Sequence, residues 1–206
     1  MKKPNRHAPA HAPRQVRIIG GQWKRTPLPV IDAPDLRPTP DRVRQTVFNW
    51  LRHLLDGNWE SVTCLDLFAG SGALGMEAAS RGAKAVTLVD SVGPVVRQLE
   101  AVKDKLQAQQ ITILRGDGLT TLQQMASRGQ RFELIFLDPP YSQGWLQKLL
   151  PLCQQVLAPG GIIYAESAEA LPQDTDSADW MANWQTIRAE QAGLVFYHLL
   201  QRKIDA

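Results

Sequence analysis

Residues 65–75 read Leu65-Asp66-Leu67-Phe68-Ala69-Gly70-Ser71-Gly72-Ala73-Leu74-Gly75, an apolar strand end that runs into a glycine-rich turn. The glycines have the spacing G-x-G-x-x-G, which lets the backbone approach a ligand and lets a helix begin close by. The pattern alone is weak evidence, because it also serves a purely structural turn from a strand into a helix. It predicts a strand, a tight turn and a helix, with or without a ligand at the turn.

Short apolar runs alternate with longer amphipathic segments from residue 57 onwards, which is typical of strand–helix units around a parallel sheet. We predict strands over residues 62–67, 84–89, 111–115, 132–137 and 160–166. The helices between them are predicted over residues 73–81, 93–108, 118–127 and 145–157. Two last strands, 184–190 and 194–202, have no helix-sized insert between them and predict an antiparallel hairpin at the sheet edge. The predicted fold is α/β and Rossmann-like, a mostly parallel seven-stranded sheet flanked by helices.

The start of the chain predicts a small extension to this sheet. Alternating apolar residues before Gly20-Gly21 predict a short strand, a glycine turn and a second strand that ends near Pro29. Five prolines make residues 27–40 an extended connector. A helix follows, with Thr39 as its N-cap residue and Pro40 in its first helical position. The apolar spacing of this helix leaves three basic residues on its other faces: Arg42, Arg44 and Arg52.

The size of the chain indicates one main domain. Its 206 residues, 44% of them hydrophobic, can bury one core with short additions. We predict a basic flexible arm over residues 1–15, a hairpin and helix extension over 16–56, and the main domain over 57–206. No run approaches the roughly 20 apolar residues of a membrane span, so we expect a cytoplasmic protein. Cys64 and Cys153 lie in apolar segments without metal-ligand spacing, which predicts buried thiols and no metal site.

Positive charge is concentrated at the start of the chain. The net charge is only +3, but residues 1–31 hold seven Lys or Arg residues and no Asp or Glu. This distribution suits a polyanion and predicts contact with nucleic acid. For residues 1–14 a disordered solubilising tail is the alternative, and a basic arm of this kind also folds on binding. The candidate RNA-binding residues are Arg14, Arg17, Lys24, Arg25 and Arg42.

Acidic residues follow three of the predicted strands in turn. Asp66 ends the first, and ligands of doubly wound sheets bind beyond such carboxyl ends. Asp90 ends the second, where a carboxylate accepts both hydroxyl groups of a ribose. Asp117 follows the third, and it either accepts the amino group of an adenine or caps the helix that begins beside it. Together these residues indicate a nucleotide without naming it.

The fourth strand is followed by Asp138-Pro139-Pro140-Tyr141. This segment places a carboxylate, two rigid prolines and an aromatic ring at the carboxyl end of the strand. An amino group on a flat base is a poor nucleophile, because its lone pair is delocalised into the ring. Acceptance of its two hydrogens by the Asp138 carboxylate and the Pro139 carbonyl would free that lone pair, and Tyr141 could stack on the extruded base. An ordinary strand-to-loop turn is the competing interpretation.

These residues resemble the motifs of class I S-adenosylmethionine-dependent methyltransferases that modify amino groups. The matching segments, in order, are Asp66 to Gly75, Asp90, Gly116-Asp117 and Asp138 to Tyr141. The N-terminal blocks narrow the match, because they are similar to the signature of the bacterial RsmD family. These blocks are Arg17-Ile18-Ile19-Gly20-Gly21-Gln22-Trp23-Lys24, Leu36-Arg37-Pro38-Thr39-Pro40-Asp41-Arg42-Val43-Arg44 and Phe48-Asn49-Trp50-Leu51.

The resemblance implies S-adenosylmethionine as the cofactor and a site for each of its parts. The implied cofactor-binding residues are Arg37, Thr39, Asp66, Phe68, Ala69, Gly70, Ser71, Gly72, Asp90, Ser91, Asp117, Gly118 and Asp138. Asp66 would lie near the amino-acid part, Asp90 on the ribose, and Asp117 with Gly118 by the adenine. The implied catalytic residues are Asp138, Pro139, Pro140 and Tyr141.

The RsmD family methylates the N2 amino group of guanine 966 in 16S ribosomal RNA, so the resemblance implies this substrate. The chain has few elements for RNA recognition, so we expect it to act on the assembled or assembling small subunit. The sequence shows no dedicated dimer seam, so we expect a monomer. Direct in-line transfer is expected, because no cysteine is placed as a nucleophile. A DNA methyltransferase for adenine N6 or cytosine N4 is the rival enzyme, although the chain has little room for the usual target-recognition region. A catalytically silent RNA-binding protein is the rival outside enzymes.

Overall fold

A computed structural model describes residues 15–31, 39–140, 144–172 and 179–203. The strands in these ranges are β1 Gln15–Arg17, β2 Pro27–Pro29, β3 Thr63–Asp66, β4 Ala85–Asp90, β5 Ile111–Arg115, β6 Phe132–Leu137, β7 Leu157–Ser167, β8 Trp184–Ala192 and β9 Val195–Arg202. The helices are α1 Asp41–Leu54, α2 Ala73–Ser80, α3 Gly93–Leu106, α4 Gly118–Ser127 and α5 Trp145–Cys153. Within these ranges, no helix is long and apolar enough to cross a membrane.

The described part of the chain contains one seven-stranded sheet with the order β5-β4-β3-β6-β7-β9-β8. Strands β3 to β7 are parallel, and β9 pairs antiparallel with both β7 and β8. The predicted α/β fold with its terminal hairpin is therefore confirmed. The direction of strand order reverses between β3 and β6, which is where ligands bind in open sheets of this kind.

Two predicted boundaries were wrong. Strand β7 begins at Leu157 instead of residue 160, with a register shift opposite Phe132 and Leu134. The left-handed backbone of Gly160 (φ +73°) accommodates this irregularity, so the strand continues through a Pro-Gly-Gly segment that reads as a turn. Helix α5 accordingly ends at Cys153, because the chain must turn before the earlier strand start.

The start of α1 also differs from its prediction. The helix begins at Asp41 with Pro40 as its N-cap residue, and Thr39 makes no capping hydrogen bond because its hydroxyl is taken by carboxylates of the main sheet. Arg44, expected on an outer face, is fully buried. Its Nη2 lies 2.6 Å from Asp41 Oδ1, and this i−3 carboxylate partner lets the guanidinium leave water. Arg42 is exposed as predicted.

The N-terminal hairpin is docked on helix α2. Buried Glu77 accepts a hydrogen bond from Ile19 N at 2.7 Å and forms an ion pair with Arg81 at 2.8 Å. Ser80 contributes its carbonyl to Gln22 N at 2.8 Å. The apolar residues of β1, β2 and α1 belong to the same buried cluster as those of α2 and β3. The hairpin therefore shares the core of the main sheet, with its exposed basic side chains outside.

Candidate active site

Four carboxyl groups meet at the carboxyl edge of the central strands. Asp66 ends β3, Asp90 ends β4, Asp138 follows β6 and Glu166 lies near the end of β7. They are close enough for the charge of Asp90 to act on Asp66, and for the charges of Asp66 and Glu166 to act on Asp138. The sheet therefore gathers at its switch point the acids that the sequence places far apart.

Asp66 is a buried carboxyl group with an unsatisfied oxygen. Its Oδ2 accepts the Gly75 N–H at 2.9 Å, whereas Oδ1 has no hydrogen-bond partner. Burial, as the main cause, and the charge of Asp90 raise the pKa of Asp66 from 3.8 to about 7, although the hydrogen bond from Gly75 N–H and the nearby backbone N–H of Phe68, which forms no hydrogen bond of good geometry, oppose this rise. An unpaired buried oxygen is costly, so this atom indicates a place for a polar or cationic ligand group.

The glycine-rich turn is shaped by both backbone conformation and packing. Gly70 and Gly72 have positive φ angles of 51° and 79°, and Gly72 is the N-cap residue of α2. A Cβ atom on Gly75 would lie 2.2 Å from Leu88 Cδ2, so this glycine lets α2 approach the sheet. Ala69 and Ser71 are buried within the turn. Gly70 and Gly72 therefore form the tight turn through their backbone conformation, and Gly75 allows the close packing of α2 on the sheet.

Asp90 holds the glycine-rich turn in place. Its Oδ2 accepts Gly70 N–H at 2.9 Å, and its Oδ1 accepts Val92 N–H at 2.8 Å. Each carboxylate oxygen can accept a second hydrogen bond, so the side chain keeps capacity for hydroxyl donors. Ser91, the next residue, is exposed.

Asp117 caps helix α4. Its Oδ1 accepts hydrogen bonds from Thr120 N at 2.9 Å and Thr120 Oγ1 at 3.0 Å, so capping, one of the two interpretations of this residue, is observed. Gly118 is buried against Phe68, whose ring lies 2.9 Å from the position of an added Cβ. Phe68 in turn packs edge-on against Trp145, with ring centroids 5.6 Å apart. These residues form an apolar wall beside the acids.

Asp138 is bound to a polar network that sequence reasoning missed. The Thr39 hydroxyl lies 3.4 Å from Asp138 Oδ2 and 2.7 Å from Glu166 Oε1, and Tyr164 donates its hydroxyl to the same Glu166 oxygen at 2.6 Å. Burial, followed by the charges of Glu166 and Asp66, raises the pKa of Asp138 well above its usual range. Glu166 follows the apolar residues Ile162 to Ala165 at the end of a predicted strand, and this placement after a strand was the signal that could have found it.

The remaining predicted residues fall into two groups. Pro139 is buried and Pro140 is exposed directly after Asp138. Arg14, Arg37 and Tyr141 lie outside the described residues.

Exposed basic side chains surround a cavity next to Thr39. The cavity has a volume of about 500 Å³, and its lining includes Arg17, Arg25, Thr39 and Asp41. Arg17 forms an ion pair with Asp41 at 3.0 Å while 67% of its side chain stays exposed. Lys24 is exposed in the same hairpin turn. The cavity therefore combines exposed basic side chains with Thr39, the residue that contacts Asp138.

Known proteins share both the sequence and this architecture. Residues 16–201 match the family model described as Conserved hypothetical protein 95. The ribosomal RNA small subunit methyltransferase D of Escherichia coli strain K12 is 40% identical over 207 residues, covering 98% of this chain and 96% of that relative. This chain belongs to that family, the RsmD family.

Solved structures agree with membership of the RsmD family. The putative methyltransferase yhhF from Escherichia coli is 39% identical with a TM-score of 0.75, covering 93% of this chain and 99% of that chain. A putative S-adenosylmethionine-dependent methyltransferase from Streptococcus mutans, 16% identical with a TM-score of 0.67, covers 92% of this chain and 56% of that chain and shares the fold alone. This RsmD family member thus has the same fold as that putative methyltransferase.

Proposed function

We propose that this protein methylates the exocyclic N2 amine of guanine 966 in 16S ribosomal RNA, using S-adenosylmethionine. The observation that carries the proposal is the placement of Asp138-Pro139 at the switch point, beside Asp66 and the glycine-rich turn. The extensive identity to a small subunit ribosomal RNA methyltransferase supports ribosomal RNA as the substrate. The enzyme would act as a cytoplasmic monomer on the assembled or assembling small subunit.

The residues present fit the proposed cofactor. Asp66 Oδ1 is a buried acceptor without a protein partner, and it suits the ammonium group of the amino-acid part. Asp90 retains acceptor capacity for the ribose hydroxyls, and the wall of Phe68 and Gly118 suits a flat adenine. When bound, the cofactor supplies a methyl group that its positive sulfonium has already activated.

The protein's part in the reaction is to hold the amine. The Asp138 carboxylate and the Pro139 carbonyl accept its two hydrogens, which turns the nitrogen lone pair away from the ring and toward the methyl group. Tyr141 stacks on the base, which has been turned out of its RNA stack. Positioning of this kind carries most of the catalysis, because it replaces an improbable encounter with a fixed geometry.

The direct test is transfer of a labelled methyl group from S-adenosylmethionine. Small ribosomal subunits, naked 16S RNA and duplex DNA from cells lacking the enzyme are each incubated with the protein, and labelled nucleosides are separated after digestion. We expect N2-methylguanosine from ribosomal RNA, and loss of the label when guanine 966 is replaced. Label in DNA alone would support the rival enzyme, and no label in any substrate would support the silent RNA-binding protein.

Replacing Arg17, Lys24 and Arg25 together by alanine is expected to weaken RNA binding and flatten its salt dependence. Loss of three phosphate contacts would reduce the slope of log K against log salt by about 2–3. Binding to small subunits or to an RNA fragment is measured over a range of salt concentrations. The matched control is a triple variant at exposed sites near the opposite sheet edge: Lys105→Ala, Arg128→Ala and Arg131→Ala. This control should keep the original slope. Equal slopes in both variants would contradict an RNA-facing hairpin.

Cofactor affinity is expected to increase as the pH rises through about 7, the pKa of Asp66. Below that pH the carboxyl group holds a proton, which must leave before it can pair with the cationic cofactor, so affinity should fall up to about tenfold per pH unit. Protein stability has the opposite dependence: the contribution of Asp66 is greatest below pH 3.8 and is lost as the pH rises through about 7. Calorimetry from about pH 5.5 to 8.5 measures the affinity. An Asp66→Asn variant should be weaker but independent of pH, and a flat profile for the original protein would contradict this role.

A further inference from the structure

Asp138 has a second carboxyl group beside it. The parallel register of β6 and β7 pairs Leu137 with Ala165, so the following residues, Asp138 and Glu166, are neighbours at the sheet edge. The Thr39 hydroxyl lies within 3.4 Å of an oxygen of each. The charge of Glu166 accordingly acts on Asp138 and raises its pKa. Two ionised carboxylates contain only acceptors, so a hydrogen bond between this pair requires a proton on one of the two.

The surroundings of Glu166 decide which group holds the shared proton. Glu166 is 3% exposed, and its Oε1 accepts hydrogen bonds from Tyr164 at 2.6 Å and Thr39 at 2.7 Å. Hydrogen bonds to a carboxylate favour its ionised form, and Glu166 accepts two of them, so Asp138 is the group of the pair that takes up a proton. The pKa of Asp138 is raised accordingly, by burial first and then by the charge of Glu166. Asp138 is therefore a stronger base than an ordinary aspartate.

We propose that Asp138 takes the proton that the target amine loses on methylation, and that Glu166 is the positioning residue that enables it to do so. The inference rests on the proposed function, because it concerns the amine held by Asp138. Glu166 increases the proton affinity of Asp138 through its negative charge and accepts the hydrogen bond of the acid that forms. No water or metal is needed to receive the proton.

Methyl transfer and the proton transfer that follows it each form one bond and break one bond. The nitrogen lone pair forms the new bond to the methyl carbon, and the sulfur keeps the electron pair of the broken S–C bond and becomes a neutral thioether. The methylated nitrogen then has one hydrogen too many. That N–H bond breaks, its electron pair returns to nitrogen, and an O–H bond forms on Asp138. The new acid donates a hydrogen bond to Glu166, and its proton then leaves to solvent, which restores the Asp138 carboxylate before the next turnover.

Within the part of the chain that the structure describes, the charged groups around Asp138 all raise its pKa. Among the described residues, β3 presents Asp66 and β7 presents Glu166, and both raise the pKa of Asp138. The segment before α1 presents Thr39, whose hydrogen bond opposes the rise. Within the described ranges no cation appears among the groups that shift the pKa of Asp138. Removal of the Glu166 charge should therefore make Asp138 easier to ionise.

The test is the pH dependence of methyl transfer in a single turnover at saturating cofactor, compared between the original protein and Glu166→Gln. We expect the acid limb of the profile to move to lower pH in Glu166→Gln, because Asp138 ionises more easily. The plateau rate at high pH should fall at least about tenfold, because Asp138 becomes a weaker proton acceptor. Glu166→Asp, which keeps the charge, should restore the acid limb toward its original position.

A matched control is Glu133→Gln. Glu133 lies on the adjoining β6, accepts hydrogen bonds from Thr63 at 2.6 and 2.7 Å, and is at the far end of the strand from Asp138. Its replacement should leave the acid limb unchanged. An unmoved limb in Glu166→Gln, or an equal shift in Glu133→Gln, would overturn the inference.

A measurement on the original protein covers the case in which Glu166→Gln does not fold. Carbon-13 NMR of labelled aspartate carboxyl groups, with Asp138 assigned by its absence in Asp138→Asn, should show Asp138 titrating above the usual aspartate range. Titration in the ordinary range overturns the inference even if ribosomal RNA is methylated normally. Absence of methylation by the original protein overturns the proposed function whatever the NMR titration shows, so the two failures are distinguishable.

Discussion

Replacing Asp138 by alanine is expected to reduce methyl transfer at least about 10³-fold while leaving S-adenosylmethionine affinity nearly unchanged. The carboxylate is proposed to hold the amine and to take its proton, so both the geometry and the acceptor are lost. Burial and the charges of Glu166 and Asp66 keep the pKa of this group high, so the variant loses an acceptor with a higher proton affinity than an ordinary aspartate. Single-turnover rates and calorimetric cofactor affinity are the two measurements.

The control is a surface aspartate away from this edge. Asp104 lies exposed in the last turn of α3, which returns the chain to the opposite edge of the sheet. Asp104→Ala should keep both rate and affinity. A large loss of cofactor affinity in Asp138→Ala would show that the residue binds the cofactor instead of the amine, and an unchanged rate would remove it from the catalytic step.

Replacing Gly21 by alanine is expected to undock the N-terminal hairpin and destabilise the fold by at least about 3 kcal/mol. The added Cβ would lie 1.9 Å from the Ser80 carbonyl oxygen, and the backbone has a φ of 74°, which suits glycine. The hairpin would lose its hydrogen bonds to Ser80 and Glu77. Binding of the RNA substrate should weaken strongly, because the exposed basic side chains would no longer be held beside Thr39. Urea unfolding and RNA binding measure these two effects.

Gly57 offers a matched control for the clash. Its φ of 71° is almost the same, but no atom lies within 4 Å of an added Cβ. Gly57→Ala should therefore cost only the left-handed strain of about 1–2 kcal/mol, with RNA binding preserved. If Gly21→Ala is no more harmful than Gly57→Ala, contact with α2 does not hold the hairpin.

The sheet and much of the site were predictable from local patterns. Apolar runs between amphipathic segments indicate a parallel sheet because both of its faces must be covered, and this holds without knowledge of tertiary contacts. Asp66, Asp90 and Asp138 were found because each follows such a run, and parallel strands bring their carboxyl ends to one edge. The capping role of Asp117 was one of two options, and the structure was needed to show it.

The errors share a cause in long-range contacts. Thr39 was assigned to the cap of α1 because a threonine before proline is a frequent start of a helix. Its hydroxyl instead reaches Glu166, which is 127 residues away along the chain. Arg44 was placed on an outer face because the apolar spacing of α1 leaves it there, yet its Asp41 partner allows full burial. Local propensity could not anticipate either partner.

By itself, the sequence determined the order of strands and helices, the edge at which the acids lie, and the family to which the chain belongs, because these depend on periodicity and on short motifs. Only the tertiary structure decided which of these acids lie beside each other. Glu166 ends a predicted strand as the other acids do, but only the register of β6 and β7 shows that it lies beside Asp138. Proton affinity depends on burial and on neighbouring charge, and both are properties of the packed sheet instead of the residue type.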